Sequence, residues 1–404
     1  MIPTRRKAGV AALVIAAAAA AAVGTYIPGS AAAGGNGSKA VCGAPAAGDA
    51  RCNSRLLTKD GQVVTRSTPA GYGPADIQSA YNLPSSSAGA GQTVAIVDAY
   101  DDPNAVADVN HYRNQFGLSA CAGSPSVSGC TLTNGATITK LNQAGNKGPY
   151  PRSNGGWAQE ISLDLDMVSA VCPACSIVLV EANSASMTDL GTGVNTAVAK
   201  GGAHYVSNSY GGGESTKDLT YDQQYFTHTG VVITASSGDN GFGVEYPAAS
   251  SLVTAVGGTS LSHSSGSWSE TAWSGAGSGC SSVDPKPAWQ TASTSCSMRA
   301  VADVSAVADP NTGVAVYDSL RFQGASGWLV FGGTSVASPL VASVYALAGN
   351  AATANAGTGW SHASSLHDVT SGSNGNCSTP VWCNAGTGWD GPTGLGTPNG
   401  TSAF

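Results

Sequence analysis

The chain has 404 residues, of which 54 are glycine and only 10% are charged. That length holds one large domain or two smaller ones, and so few basic side chains, with a formal charge of −7, argue against nucleic acid as a partner. Without residues 1–33 the chain carries 14 basic against 24 acidic side chains, a charge of −10, and a surface with so few carboxylates to lose suits an extracellular protein that tolerates acid.

At the N-terminus Arg5, Arg6 and Lys7 precede an apolar run over residues 8–23, and Ala31, Ala32 and Ala33 offer a small-residue cleavage site. This is the pattern of a secretory signal peptide, and the run is short for a bilayer span. A secreted, extracellular chain with no membrane contact after signal cleavage is expected. Residues 34–70 are rich in Gly, Ala and Ser without clear periodicity and read as a short propeptide or linker.

From about residue 71 the pattern becomes globular. Residues 92–98 form a nearly continuous apolar strand and 104–116 a helix. An amphipathic helix follows at 157–171, then a buried strand at 176–181. A helix at 187–200 and strands at 204–208, 231–236 and 253–257 come next. Loops and short hairpins fill 260–330, with a buried strand at 327–331 and a helix from Ser335 to Gly349. Strands alternating with helices predict an α/β fold, with a mostly parallel central sheet and helices on both faces. Its site should lie at the carboxyl ends of the strands. The ten cysteines fall into neighbouring pairs: 42/52, 121/130, 172/175, 280/296 and 377/383. In a secreted chain these read as disulfides, although spacing alone leaves the connectivity open.

Three segments carry chemistry. Ser335, in Gly332-Gly333-Thr334-Ser335, sits where a strand turns into a helix, so the helix N-terminus can face developing negative charge. Glu160 and Asp164 are one helical turn apart on one face, bordering apolar Ile161, Leu165 and Val168. Like charges there repel, which a shared proton would relieve. Asp166 is off that face and is left out of the catalytic set. Asp239, in Ser237-Gly238-Asp239-Asn240-Gly241, follows a buried strand directly. The six histidines, at 111, 204, 228, 263, 362 and 367, lie in no segment that would present an imidazole to Ser335.

Together and in this order, E-x-x-x-D at Glu160 and Asp164, S-G-D-x-G at Asp239 and G-T-S-x-x-x-P at Ser335 resemble the sedolisins, serine-carboxyl peptidases with a subtilisin-like fold. Tyr246-Pro247-Ala248-Ala249 and the entry segment at 73–83 add to the resemblance, which covers roughly residues 70–404 as one peptidase domain. It implies Ser335 as nucleophile, Glu160 as general base and then acid, Asp164 as the group orienting Glu160, and Asp239 as a protonated oxyanion donor. A carboxylate base works at low pH, where imidazole is protonated, so an acidic optimum is expected on polypeptide substrates.

The C-terminal segment resembles the family's calcium site. Carried over by position, the ligands are Asp368, Asp390 and the carbonyls of Val369, Gly386 and Gly388, holding one structural Ca2+. A monomer is expected. Departing from the family, only about forty residues separate the signal from the domain, which is short for a folded prodomain. Three alternatives stay open: a tripeptidyl-type exopeptidase on the same fold, a Ser/His/Asp enzyme using Asp98, and a catalytically inactive cell-surface binding module.

Overall fold

A computed structural model describes residues 1–3, 36–290 and 294–404; the expected signal segment lies, from residue 4 onward, outside the described residues. At the centre are the apolar runs that the sequence marks as buried strands. Thr93–Ala99 is flanked in parallel by Ser176–Ala182 and Tyr205–Asn208. Val232–Ser236, Thr254–Ser264 and Val304–Val307 continue one side in parallel, and Thr137–Asn142 continues the other. Antiparallel strands Ser267–Ala272 and Gly129–Thr131 close the two ends.

Both faces of this sheet are covered, which is why its inner strands lack polar alternation. Val97 faces the helix Met187–Ala199, because a side chain at Gly193 would strike its Cγ1. The next residue, Asp98, points the opposite way by the pleat and meets the charges of Glu160 and Asp164 on the helix Gly155–Val171. Among the described residues, no helix is long and apolar enough to cross a membrane.

That acidic helix departs from expectation. It begins at Gly155, where the Asn154 side chain accepts from the N–H groups of Gly156 and Trp157. It is not amphipathic: every residue from Gly156 to Val171 is buried, Glu160, Asp164 and Asp166 included. Asp166 takes the N–H of Tyr317 at 2.9 Å, a contact apart from Ser335. Thr137–Asn142 carries no apolar period because buried Lys140 sits in it, paired with Asp101 and Glu181. The strand expected at 253–257 runs on to Ser264 as one arm of an exposed hairpin.

The segment read as a propeptide or linker is built into the body. Asn36–Ala40 pairs with Arg55–Lys59, which pairs with Ala325–Gly332 and through it with Val314–Phe322, all antiparallel. Arg51–Cys52 pairs with Tyr210–Gly211. The five disulfides join Cys42–Cys52, Cys121–Cys130, Cys172–Cys175, Cys280–Cys296 and Cys377–Cys383, the neighbouring pairs.

Candidate active site

Ser335 stands in the first turn of the helix Thr334–Ala348, directly after the strand Ala325–Gly332. Gly333 makes the turn at φ 99°, a conformation that favours glycine, and a side chain there would strike Asp239 Oδ2 and the carbonyl oxygen of Asn53. Pro339 lies four residues past Ser335 and has no N–H to give its carbonyl. The Ser209 Oγ lies 3.3 Å from that carbonyl and donates to Asp164 Oδ1 at 2.8 Å, the shorter of the two contacts its one proton can serve. Ser335 Oγ in turn donates to the Ser209 carbonyl at 3.1 Å.

Ser209 and Asp239 follow the carboxyl ends of the parallel strands Tyr205–Asn208 and Val232–Ser236. Asp239 Oδ1 accepts from the Thr334 N–H at 2.8 Å and from Thr334 Oγ1 at 3.0 Å, while Oδ2 is buried without a partner. Burial pushes the Asp239 carboxyl up to about 7, against hydrogen bonds from Thr334 that pull it back. In acid it is therefore a neutral group with an O–H free to donate beside the helix N-terminus.

Glu160, Asp164 and Asp98 form the second half of the site. All three are at 0% exposure. Burial first, and then the Asp98 charge, hold Glu160 and Asp164 well above the usual carboxylate range, and burial pushes Asp98 up to about 8. Both Glu160 oxygens lack a partner of good hydrogen-bond geometry, yet the hydroxyls of Ser335 and Ser54 lie close enough to draw its pKa down. Carboxyls so placed share protons and titrate as a unit.

The histidines are engaged elsewhere. His111 stacks on Tyr317, with ring centroids 3.9 Å apart, and His263 stacks on Trp268 at 4.3 Å. His204, His228 and His362 bond to Gly230 O, Asn195 Oδ1 and Thr358 O, and His367 sits beside Glu270. Asp98, the acid of the imidazole alternative, thus meets carboxyls where that chemistry needs a histidine.

All four residues expected from sequence come to one place: Ser335 with Asp239 through Thr334 and Gly333, and Ser335 with Asp164 through Ser209. Ser209 and Asn53 were not expected there, and Asp98 was expected only as the partner of a histidine. Ser209 had a signal, since it directly follows a buried strand end. Asn53 had none. The Ser335 N–H donates to the Asn53 carbonyl at 2.9 Å, so a peptide carbonyl of the chain itself stands where an oxyanion would form.

The residues expected to hold calcium gather in the C-terminal segment. Gly388 N–H donates to Asp368 Oδ2 and Gly386 N–H to Asp390 Oδ2, each at 2.9 Å. Asp390 is buried, and Asp368 is near enough to raise its pKa by like-charge repulsion. Two converging carboxylates spanned by a glycine-rich loop fit a hard cation. Among the described residues two triple-carboxyl groups also occur, Asp102/Asp108/Asp318 and Glu214/Asp218/Asp284, and neither includes an expected ligand.

Comparison with known proteins gives consistent matches. The model of the Subtilase family matches residues 136–371. Kumamolisin of Bacillus sp. (strain MN-32) is 31% identical over 396 residues, covering 87% of this chain and 67% of that protein. Sedolisin of Pseudomonas sp. (strain 101) is 28% identical over 378 residues, covering 82% and 60%. The chain thus spans about two thirds or less of the length of these relatives. Among solved structures, Pseudomonas sedolisin, a serine-carboxyl proteinase complexed with two molecules of pseudo-iodotyrostatin, superposes with a TM-score of 0.67 at 26% identity, covering 82% of this chain and 96% of that one.

Proposed function

The chain belongs to the sedolisin family of serine-type peptidases, within the Subtilase family, and we propose that it is a secreted serine-carboxyl endopeptidase that hydrolyses peptide bonds at acidic pH. The observation that carries this reading is the coupling of the Ser335 hydroxyl to the buried group Glu160, Asp164 and Asp98, with no imidazole in it.

In the proposed mechanism Ser335 Oγ turns from the Ser209 carbonyl toward Glu160 and gives up its proton as it attacks the substrate carbonyl. Glu160 then passes that proton to the departing amine. Asp164, held by Ser209, sets the orientation of Glu160 and shares its proton load. The oxyanion is met by the Ser335 N–H and by the protonated Asp239 Oδ2. Acid keeps Asp239 neutral and able to donate, and Glu160 serves as base in the molecules whose coupled carboxyls have lost a proton.

Endo action is supported by the shape of the cleft. Arg51 and Cys52 lie along Tyr210–Gly211, Ala50 N–H reaches Ala185 O at 2.8 Å, and Arg55 onward follows Ala325–Gly332, so chain extends on both sides of Ser335. Calcium would be held by Asp368, Asp390 and the carbonyls of Val369, Gly386 and Gly388, stiffening the fold without taking part in cleavage.

Casein zymography at about pH 3–4 tests the reading, since an imidazole base is fully protonated there and only a carboxyl can still act. Clearing by the wild type and none by Ser335→Ala is expected. An activity that instead rises through neutral pH would point to an imidazole base, and no clearing at any pH would leave a binding module.

A further inference from the structure

We infer that a calcium ion binds between Asp102, Asp108 and Asp318, with the Gln159 amide as a further ligand, at a site separate from the C-terminal segment.

Four parts of the chain converge there. Asp102 lies in the loop after the central strand Thr93–Ala99, Asp108 in the helix Ala105–Gln115, and Asp318 in the strand Val314–Phe322. Gln159 and Ser162 come from the helix that carries Glu160 and stand one turn apart on one face of it. One carboxylate oxygen from each of the three acids lies within 4.8 Å of the other two. Oxygens that touch one calcium ion, at about 2.3–2.6 Å from it, are no further than about 5 Å from each other, so a single ion can reach all three.

Clustered acids alone do not make a site; Gln159, from another element, marks this one. It is at 0% exposure, and neither its amide oxygen nor its amide nitrogen has a hydrogen-bond partner. Its side chain lies against Asp318, close enough to draw that carboxyl's pKa down, and Asp318 Oδ2 is also buried without a well-aligned partner. Buried polar groups are nearly always paired, so an amide and a carboxylate oxygen left bare side by side call for a ligand from outside the chain.

The chemistry of the donors selects the ligand. Backbone N–H groups of Asn104, Ser319 and Leu320 hold one oxygen of Asp102, Asp108 and Asp318 at 2.9, 2.8 and 2.8 Å, which fixes how each carboxyl is turned. Lys140, whose charge Asp102 feels, spends its ammonium on Asp101, Glu181 and the Asp102 carbonyl instead of the Asp102 carboxylate. Burial and then the neighbouring acids raise Asp102 and Asp318, and a cation between them offsets both. Three carboxylates suit a divalent ion. The further donors are oxygens too, from the Gln159 amide and from the Ser162 hydroxyl, 3.4 Å from Asp102 Oδ2. Zinc prefers nitrogen and sulfur, and magnesium keeps several waters, for which a buried site has little room; calcium takes six to eight oxygens directly. Bound there, the ion would tie the helix of Glu160 to the loop after the central strand.

Equilibrium dialysis of the full-length protein against calcium at about pH 6, with the metal counted by mass spectrometry, tests this, since carboxyl ligands bind only as they lose their protons. The wild type should hold two ions per chain, and Asp390→Asn, which disables the C-terminal site, should keep one. Asp318→Asn, of the same size, should also hold one, and the two changes together none. Added to Asp390→Asn, Gln159→Met keeps the bulk but removes the amide, and should weaken the remaining ion about tenfold or more with the fold intact by circular dichroism. Calcium should still raise the Tm of Asp390→Asn by a few degrees. A single ion that survives Asp390→Asn and is lost with Asp318→Asn supports the inference and takes calcium away from the C-terminal segment. A wild type that holds one ion and loses it with Asp390→Asn overturns the inference, as does a wild type that holds none or an Asp318→Asn chain that still holds two. Casein digestion enters none of these counts, so the proposed function stands or falls separately.

Discussion

Around Ser335, Asp98, Glu160 and Asp164 are wholly buried and most of their oxygens bond to nothing, whereas in the C-terminal segment Asp390 is equally buried but both of its oxygens take donors. Its neighbour Asp368 reaches solvent. Both places gather acids with no base among their hydrogen-bond partners, yet they suit opposite ligands. Carboxyls stripped of water and donors are most stable with a proton between them, which makes an acid–base device. In the C-terminal pair, which takes backbone N–H groups and opens to solvent on one side, burial first and then the nearby Asp368 charge raise Asp390, and a cation between the two offsets both, which suits metal binding.

The sharpest way to break this contrast is at Glu160. Glu160→Gln keeps the size and removes the base, so kcat should fall by about 10⁴ while the fold stays intact by circular dichroism, in line with losing a triad member. Full activity would mean that the buried cluster is a structural accident. Next comes Asp239→Ala, expected to lower kcat by about 10²–10³ with little change in KM, the usual loss for one oxyanion donor.

Asp98→Asn gives a smaller and different readout. Asp98 raises Glu160 and Asp164, so neutralising it should shift the acid limb of the pH–rate profile, which the base sets, further toward acid, with the maximal rate changed less than in the first two variants. An unmoved limb would take Asp98 out of the coupled group. At the other site chelation should lower Tm by a few degrees, as binding to the folded state alone requires. Asp390→Asn should reduce that response, and an unchanged Tm on chelation would remove the metal from the contrast.

Much of this was legible in the sequence, for identifiable reasons. The apolar runs at 92–98 and 231–236 report strands covered on both faces, and the four-residue spacing of Glu160 and Asp164 reports a shared helix face. The strand-to-helix switch at Ser335 marks the nucleophile's turn. Neighbouring cysteines were close enough to close local loops.

What escaped depends on contacts between distant residues. Residues 36–66 show no period because they are held largely by backbone pairing and by a disulfide, and polar Asn53 and Ser54 are buried against the cleft. The acidic helix looked half-exposed because polar residues such as Gln159, Glu160, Ser162 and Asp166 alternate with apolar ones, yet protein covers it on every side. Glu245 gives no local sign of facing Asn53, since the two are 192 positions apart.

That enclosed helix has a consequence for how the chain is assembled. Glu160, Asp164 and Asp166 must enter a dry interior, and an ionised carboxyl strongly resists that transfer. The folded chain therefore takes up protons that the unfolded chain, with ordinary carboxyls near pH 4, has already shed at neutrality. Stability is greatest below the unfolded values and drains away as the solution becomes alkaline through about 7 for Asp239 and about 8 for Asp98. Sourness is thus a condition of architecture as well as of turnover, and refolding from denaturant should succeed better in acetate than in neutral phosphate.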